Sequence, residues 1–313
     1  MTSTWQLPET AHGWVTDGGL ETDLIFHRGL DLPDFASFPL LDDPHGREIL
    51  EDYYRGYAVV AARAGAGLLL ETPTWRANPD WGARLGYDAD ALARVNRDAV
   101  AHLRELAADV SGEVDGVLVV GSVGPRGDGY RAGDLDADRY ADYHRAQLAA
   151  FADAGADLAT AYTLTTVAEA AGIVRAARDV GLPVAISFTV ETDGRLPDGT
   201  DLGAAVEQLD TATDEGAVHL LVNCAHPDHV RHGLDADAAW TRRIAGLRVN
   251  SSRLSHAELD EAEELDEGDL ADLAASTRAL AEALPDVRIV GGCCGTDARH
   301  VAAMWEGWTP VRP

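Results

Sequence analysis

Eight short apolar runs, each followed by a longer polar or amphipathic stretch, limit this chain's fold more than any other feature. The runs are Trp14–Thr16, Gly67–Leu70, Gly116–Val120, Leu158–Ala161, Pro183–Phe188, Val218–Val222, Gly246–Val249 and Val287–Val290. Apolar residues at helical spacing fill Gly46–Ala64, Asp88–Ala108, Asp136–Ala154, Val167–Val180, Leu202–Thr213, Asp269–Leu284 and Asp297–Trp305. Helix signals agree with this. Asp88 and Asp136 stand where N-caps belong, and Pro183 follows the stop at Gly181. Eight units in 313 residues predict an α/β fold, a closed (β/α)8 or TIM barrel, with a doubly wound open sheet as the competitor. No Pro-, Gly- or Ser-rich linker divides the chain, so residues 1–313 read as one domain. Two stretches break the pattern. Phe26–Asp43 is long for a strand-to-helix connection, and Ser251–Glu267 is a strongly acidic insertion. The insertion reads either as a solvated mobile loop or as a lid over the barrel mouth.

Composition removes several classes of function. With 53 acidic and 25 basic residues the formal charge is −28, so nucleic acid is a poor partner and none is expected. All the basic residues are arginine, which rules out Schiff-base catalysis by lysine and a P-loop lysine. Such acidity fits either a GC-rich coding bias or a salt-adapted surface. No apolar run is long enough to span a membrane. Met1–His12 lacks the basic start and apolar core of a secretory signal. Only Cys224, Cys293 and Cys294 carry thiols. An odd number without an export signal points to a reducing, cytoplasmic setting rather than a disulfide framework.

Those cysteines are the sharpest chemical feature. Cys224 follows the sixth apolar run, and the vicinal pair Cys293–Cys294 follows the eighth, flanked by Gly291, Gly292 and Gly295. In a barrel the C-terminal ends of all strands meet at one face, so the three thiols can converge there. Three thiolates suit Zn²⁺ and leave a fourth position open, as catalytic zinc sites do. Flanking glycines would supply the unusual dihedrals that two adjacent ligands need. Three small buried hydrophobes, or a vicinal disulfide, are the competing readings. A substrate thiol is the natural fourth ligand, and metal binding would hold it as a thiolate ready for alkyl transfer. Zinc-activated water attacking an ester is the less suited chemistry, because three thiolates weaken the metal as a Lewis acid.

Other clusters are weaker by themselves. Asp17-Gly18-Gly19-Leu20-Glu21-Thr22 ends the first run, and its glycines would let backbone N–H groups approach a small anion, with Asp17 facing an ammonium. Gly121–Tyr130 is glycine-rich but lacks dinucleotide spacing. His226, two residues past Cys224, is either a ligand, a partner of one, or a surface loop residue. His256 and His300 carry no pattern that assigns them.

The segments DGGLETDL (17–24), ETPTWRAN (71–78), GSVGPRGDGY (121–130), AGADLATAYT (154–163), SFTVETDGRLPDGTDL (187–202), VNCAHP (222–227) and GGCCGT (291–296) resemble the homocysteine S-methyltransferase family. VNCAHP paired with GGCCGT is the specific part. The resemblance implies zinc on Cys224, Cys293 and Cys294, with the sulfur of homocysteine as fourth ligand. It implies in-line methyl transfer from a small onium donor, giving methionine. S-Methylmethionine or S-adenosylmethionine comes first as donor and betaine second, and Trp75, Trp81 and Tyr130 are candidates to face its methyl group. The turn Asp17, Gly18, Gly19 would hold the amino-acid end of homocysteine, and Asn223 also matches the family pattern. One departure stands out. Where relatives carry an acid beside the substrate amine, this chain has Tyr162, followed by Thr163. Glu21 or Glu71, the latter followed by Thr72, would then supply the charge, or the acceptor is another thiol. A non-catalytic alternative closes the zinc with His226 as fourth ligand.

Overall fold

The computed structural model describes residues 5–262 and 264–308, so residues 1–4, Glu263 of the acidic insertion, and residues 309–313 lie outside the description. Eight parallel strands close in sequence order: β1 (Trp14–Val15), β2 (Gly67–Glu71), β3 (Val117–Val123), β4 (Leu158–Leu164), β5 (Val184–Phe188), β6 (Leu220–Asn223), β7 (Ile244–Val249) and β8 (Ile289–Gly292). Trp14 pairs with Gly67 on one side and Ile289 on the other, which closes the ring. The expected (β/α)8 barrel is therefore the fold, and the open sheet is not. Among the described residues no helix is long and apolar enough to cross a membrane.

The two-residue period of a strand decides what faces the barrel axis. On β2, Leu68 and Leu70 pack outward against the helices, while Leu69 joins an inner cluster with Trp14, Val120, Leu158, Ala185 and Leu221. Two residues further along the same strands the inward positions turn polar: Thr16, Glu71, Ser122, Ser187 and Asn223, all buried. The inside of the barrel is thus apolar at its base and polar at its C-terminal rim. Several strands run past the apolar limits set from sequence. Strand β6 continues to Asn223 and β8 to Gly292, because the ladder goes on through inward residues that carry no apolar side chain. β1 stops one residue short of the expected Thr16.

Helices begin where their caps dictate. The Asp88 carboxylate accepts from the Ala91 N–H at 2.9 Å, and Asp136 accepts from Arg139 at 3.0 Å. The helix Pro44–Ala64 starts before the expected Gly46, since Asp43 caps it and Pro44 suits its first turn. The connection after β6, which showed no helical period in the sequence, holds a short helix at Pro227–His232 and a 3₁₀ turn at Ala239–Arg243.

The helices Ala137–Asp153 and Val167–Val180 meet at Gly172. A Cβ there would lie 2.6 Å from the Ala137 carbonyl oxygen and 2.9 Å from the Ala141 nitrogen, both backbone atoms that cannot step aside. Gly172→Ala should therefore lower unfolding stability by about 1–3 kcal/mol in chemical denaturation. Gly112→Ala, with nothing within 4 Å of its added Cβ, should leave the midpoint in place.

Candidate active site

β6 and β8 flank β7, and their ends deliver the thiols. Past Asn223 the backbone turns into the left-handed region at Cys224, with φ of 55°. That conformation costs a side-chain-bearing residue energy, and the Cys224 N–H helps hold it by donating to the Arg248 carbonyl at 2.9 Å. The Cys293 N–H donates to the Val249 carbonyl at 2.8 Å, so both turns hang on β7. The glycines serve differently from expectation. Only Gly295 of the three has a positive φ, at 77°. Gly291 is needed for space, since a Cβ there would stand 2.5 Å from Thr16, and a Cβ on Gly292 would overlap Thr296.

All three sulfur atoms lie within 4.8 Å of one another, with Cys224 and Cys294 3.7 Å apart. All three are free thiols, so the vicinal disulfide is not formed. Donors surround them. The Tyr130 hydroxyl is 3.2 Å from the Cys224 sulfur, Asn250 Nδ2 is 3.8 Å from it, and Asn223 Nδ2 is 3.8 Å from the Cys293 sulfur. Hydrogen bonds from Cys293 and Cys294 pull the Cys224 thiol well below its usual range. The same contact with Cys224 pushes Cys293 up to about 12 and holds Cys294 well above its usual range. The spacing of the three sulfurs and their soft character fit a shared zinc ion, which would bind them as thiolates.

Deeper in the barrel sits a buried charge cluster. Asp17 forms an ion pair with Arg248 on β7, and Arg248 Nε donates to the Gly292 carbonyl at 3.0 Å. The Tyr162 hydroxyl donates to Glu71 Oε1 at 2.6 Å. Burial raises the Glu71 pKa to about 7, against the pull of Arg248. Asn223 Oδ1 accepts from the Thr163 N–H at 2.8 Å and the Ser187 hydroxyl at 2.7 Å. That holds Thr163 at its own positive φ of 60°. The Thr72 hydroxyl accepts from the Ser122 N–H at 2.9 Å. The Asp17–Gly19 turn packs tightly on the cysteine loop. Its Gly19 N–H donates to the Thr296 carbonyl at 3.0 Å, so this group is not free for a substrate anion.

The eleven site residues read from the sequence all line one cavity of about 490 Å³: Asp17, Gly18, Gly19, Glu21, Glu71 and Thr72 on one side, Tyr162, Asn223, Cys224, Cys293 and Cys294 on the other. Arg76 and Trp75 form part of its outer wall. The Arg76 guanidinium lies 3.7 Å from the Trp81 ring centroid, and its Nε and Nη1 have no hydrogen-bond partner. Trp81, expected to face a methyl group, is covered by Arg76 instead and does not line the cavity. The insertion crosses the mouth, where Leu259, Asp260 and Leu265 line the same space. Charge pairs tie both its ends: Arg253 to Asp228 and Asp272, and Glu267 to His27 and Arg299. His256 on its short helix stacks on Tyr130 at 4.0 Å and reaches the Cys224 carbonyl at 2.8 Å. His226 stands outside the sulfur group. Its Nδ1 accepts from the Asp228 N–H at 3.2 Å and caps the helix Pro227–His232.

A sequence profile described as homocysteine S-methyltransferase matches residues 14–307. The chain belongs to the homocysteine S-methyltransferase family. It is a methyltransferase. Relatives of this family include the homocysteine S-methyltransferase of Escherichia coli K12, 29% identical over 93% of each chain. The methionine synthase of Mycobacterium tuberculosis is 29% identical over 92% of this chain, which spans 24% of that longer protein. Among solved structures, the metallated form of the Escherichia coli homocysteine methyltransferase MmuM superposes with a TM-score of 0.70 at 25% identity. That match covers 96% of this chain and 97% of the other.

Asn223 supports the site most economically. Asn223→Ala would strand the buried Thr163 N–H and Ser187 hydroxyl, costing about 2–4 kcal/mol in chemical denaturation. Metal affinity should fall with it, read by competition with a chelator, because Thr163 and the Cys293 sulfur both lose a neighbour.

Proposed function

We propose that the protein transfers a methyl group from a small onium donor to the sulfur of homocysteine, giving methionine, with zinc on Cys224, Cys293 and Cys294. The observation that carries this is the gathering of three thiol sulfurs within 4.8 Å of one another on the wall of a cavity shared with the candidate substrate residues. When bound, the metal supplies the positive charge that keeps an acceptor sulfur deprotonated near neutral pH. The chain's own residues then have three tasks. Asn223, Asn250 and Tyr130 aim donors at the cysteine sulfurs and fix their orientation. The cluster of Asp17, Glu71, Thr72 and Tyr162, beside the Gly18–Gly19 turn whose Gly19 N–H is already engaged by the Thr296 carbonyl, receives the amino-acid end of the acceptor. The segment 251–267 acts as a lid that keeps water from the reacting atoms and holds donor and acceptor in line.

The donor is an amino-acid onium, S-methylmethionine or S-adenosylmethionine, with betaine as the alternative. The outer wall supports that order. Arg76 offers an unpaired guanidinium to a carboxylate, and Glu21, Asp128 and Asp260 nearby favour a donor with net positive charge, which betaine lacks. We read residues 1–313 as one catalytic domain working in the reducing cytoplasm, where the trio stays unoxidised. Small-molecule acceptor and donor are its partners. A closed structural zinc completed by His226 finds no support among the described residues, since that imidazole caps a helix instead.

Cobalt substitution tests the assignment. Adding homocysteine to the Co²⁺ protein should raise the sulfur count around the metal from three to four in X-ray absorption. Cys224→Ala, Cys293→Ala and Cys294→Ala should each abolish tight metal binding and methionine formation by mass spectrometry. Full turnover in any one of them, or an unchanged sulfur count, removes the proposal.

A further inference from the structure

The site has two buried carboxylates that could meet the acceptor's ammonium, and they are not equivalent. Asp17 has both oxygens engaged. Its Oδ1 is paired with Arg248 and receives the Thr16 hydroxyl at 3.4 Å, and its Oδ2 receives the Tyr53 hydroxyl at 3.2 Å. Arg248 is itself fixed, donating to the Gly18 and Gly292 carbonyls at 3.0 Å each. The Asp17 charge is therefore cancelled from within the protein. Glu71 differs. Its Oε1 receives the Tyr162 hydroxyl at 2.6 Å and the Thr16 hydroxyl at 3.5 Å, while its Oε2 is buried with no partner at all. Glu71 is 3% exposed and lines the cavity. A buried carboxylate oxygen without a donor is costly unless a ligand supplies one.

We propose that Glu71 Oε2 receives the α-ammonium group of the acceptor thiol, and that Tyr162 is the positioning residue that aims it. This rests on the reading that the acceptor is an amino-acid thiol. The ion pairs agree: Arg248 is matched by Asp17, and no arginine or histidine forms an ion pair with Glu71 among the described residues. A chain with Asp17 as the only acid would be balanced by Arg248 already and would have no charge left for an amine. Tyr162 stands where relatives are expected to carry an acid, and it cannot be the counter-ion. Its phenol, stacked 4.7 Å from the Arg248 guanidinium, instead fills that space and turns Oε1 of Glu71 away from the ligand. Recognition of the amine has moved from β4 to the end of β2.

The test compares homocysteine with 4-mercaptobutanoate, the same thiol without its amine, on the metal-loaded full chain. Binding is read by calorimetry and transfer by kcat/KM with donor in excess. The unmodified protein should prefer homocysteine by about 30-fold or more, the loss expected for an unpaired buried charge. Glu71→Gln keeps the shape and removes the charge. It should bring that ratio to within roughly threefold of unity, chiefly through the KM for homocysteine. Tyr162→Phe keeps the ring and removes the aiming hydroxyl, so its ratio should fall between the two. A full preference retained by both variants overturns the proposal, as does an equal loss on both acceptors. Failure of the unmodified protein to bind homocysteine overturns the acceptor reading and this assignment together.

Discussion

Everything at the active face depends on β7 lying between β6 and β8. Neighbouring strands sit about 4.8 Å apart, so the ends of β6 and β8 are roughly two such spacings from each other. Cysteines separated by some seventy positions in the chain can share one ion only if both loops bend inward over the strand between them. They do so by the same device. Each turn anchors its first cysteine N–H on a β7 carbonyl, Arg248 for Cys224 and Val249 for Cys293. Barrel closure supplies the proximity, and two hydrogen bonds supply the aim.

The same strand sends Arg248 into the barrel. A guanidinium buried among Asp17, Glu71 and Tyr162 is expensive to desolvate, and such groups persist only when each finds a partner. Here the partners come from the turn after β1, from the end of β8 and from β4, so one side chain on β7 ties β4 to the β1–β8 side, with which β4 does not pair directly. The cluster below the sulfur trio therefore carries charge of both signs, arranged before any substrate arrives. Preorganisation of this kind lowers the cost of binding a zwitterion.

The sequence was readable where chemistry and period coincide. The barrel showed in eight repeated apolar runs, and the sulfur trio in thiols placed just past two of them. Glu71 stood out because it ends a strand, and Asn223 and Tyr162 because of where they fall in the segments that resemble the family. Arg248 did not, since an arginine within the apolar run Gly246–Val249 looks like an interruption until the inward period is known. His256 was silent because its partners, Tyr130 and the Cys224 carbonyl, are 126 and 32 positions away and no local pattern joins them. Trp81 misled through its type: an indole near the mouth suits a cation, but the cation it meets is the protein's own Arg76. Glycines 291 and 292 were rightly singled out for the wrong reason, being spacers rather than turn-makers.

The fastenings of the segment over the mouth have a consequence of their own. Arg253, Arg299, Glu267 and Asp272 all hold their pairs at the surface, with a third or more of each side chain open to water. Arginine keeps its proton across the physiological range, so acidity barely touches the arginine clasps, although the His27–Glu267 pair does need a protonated imidazole, whereas dissolved ions weaken exposed pairs directly. The doorway is thereby geared to salinity: brine slackens its hinges, and fresh water draws them tight.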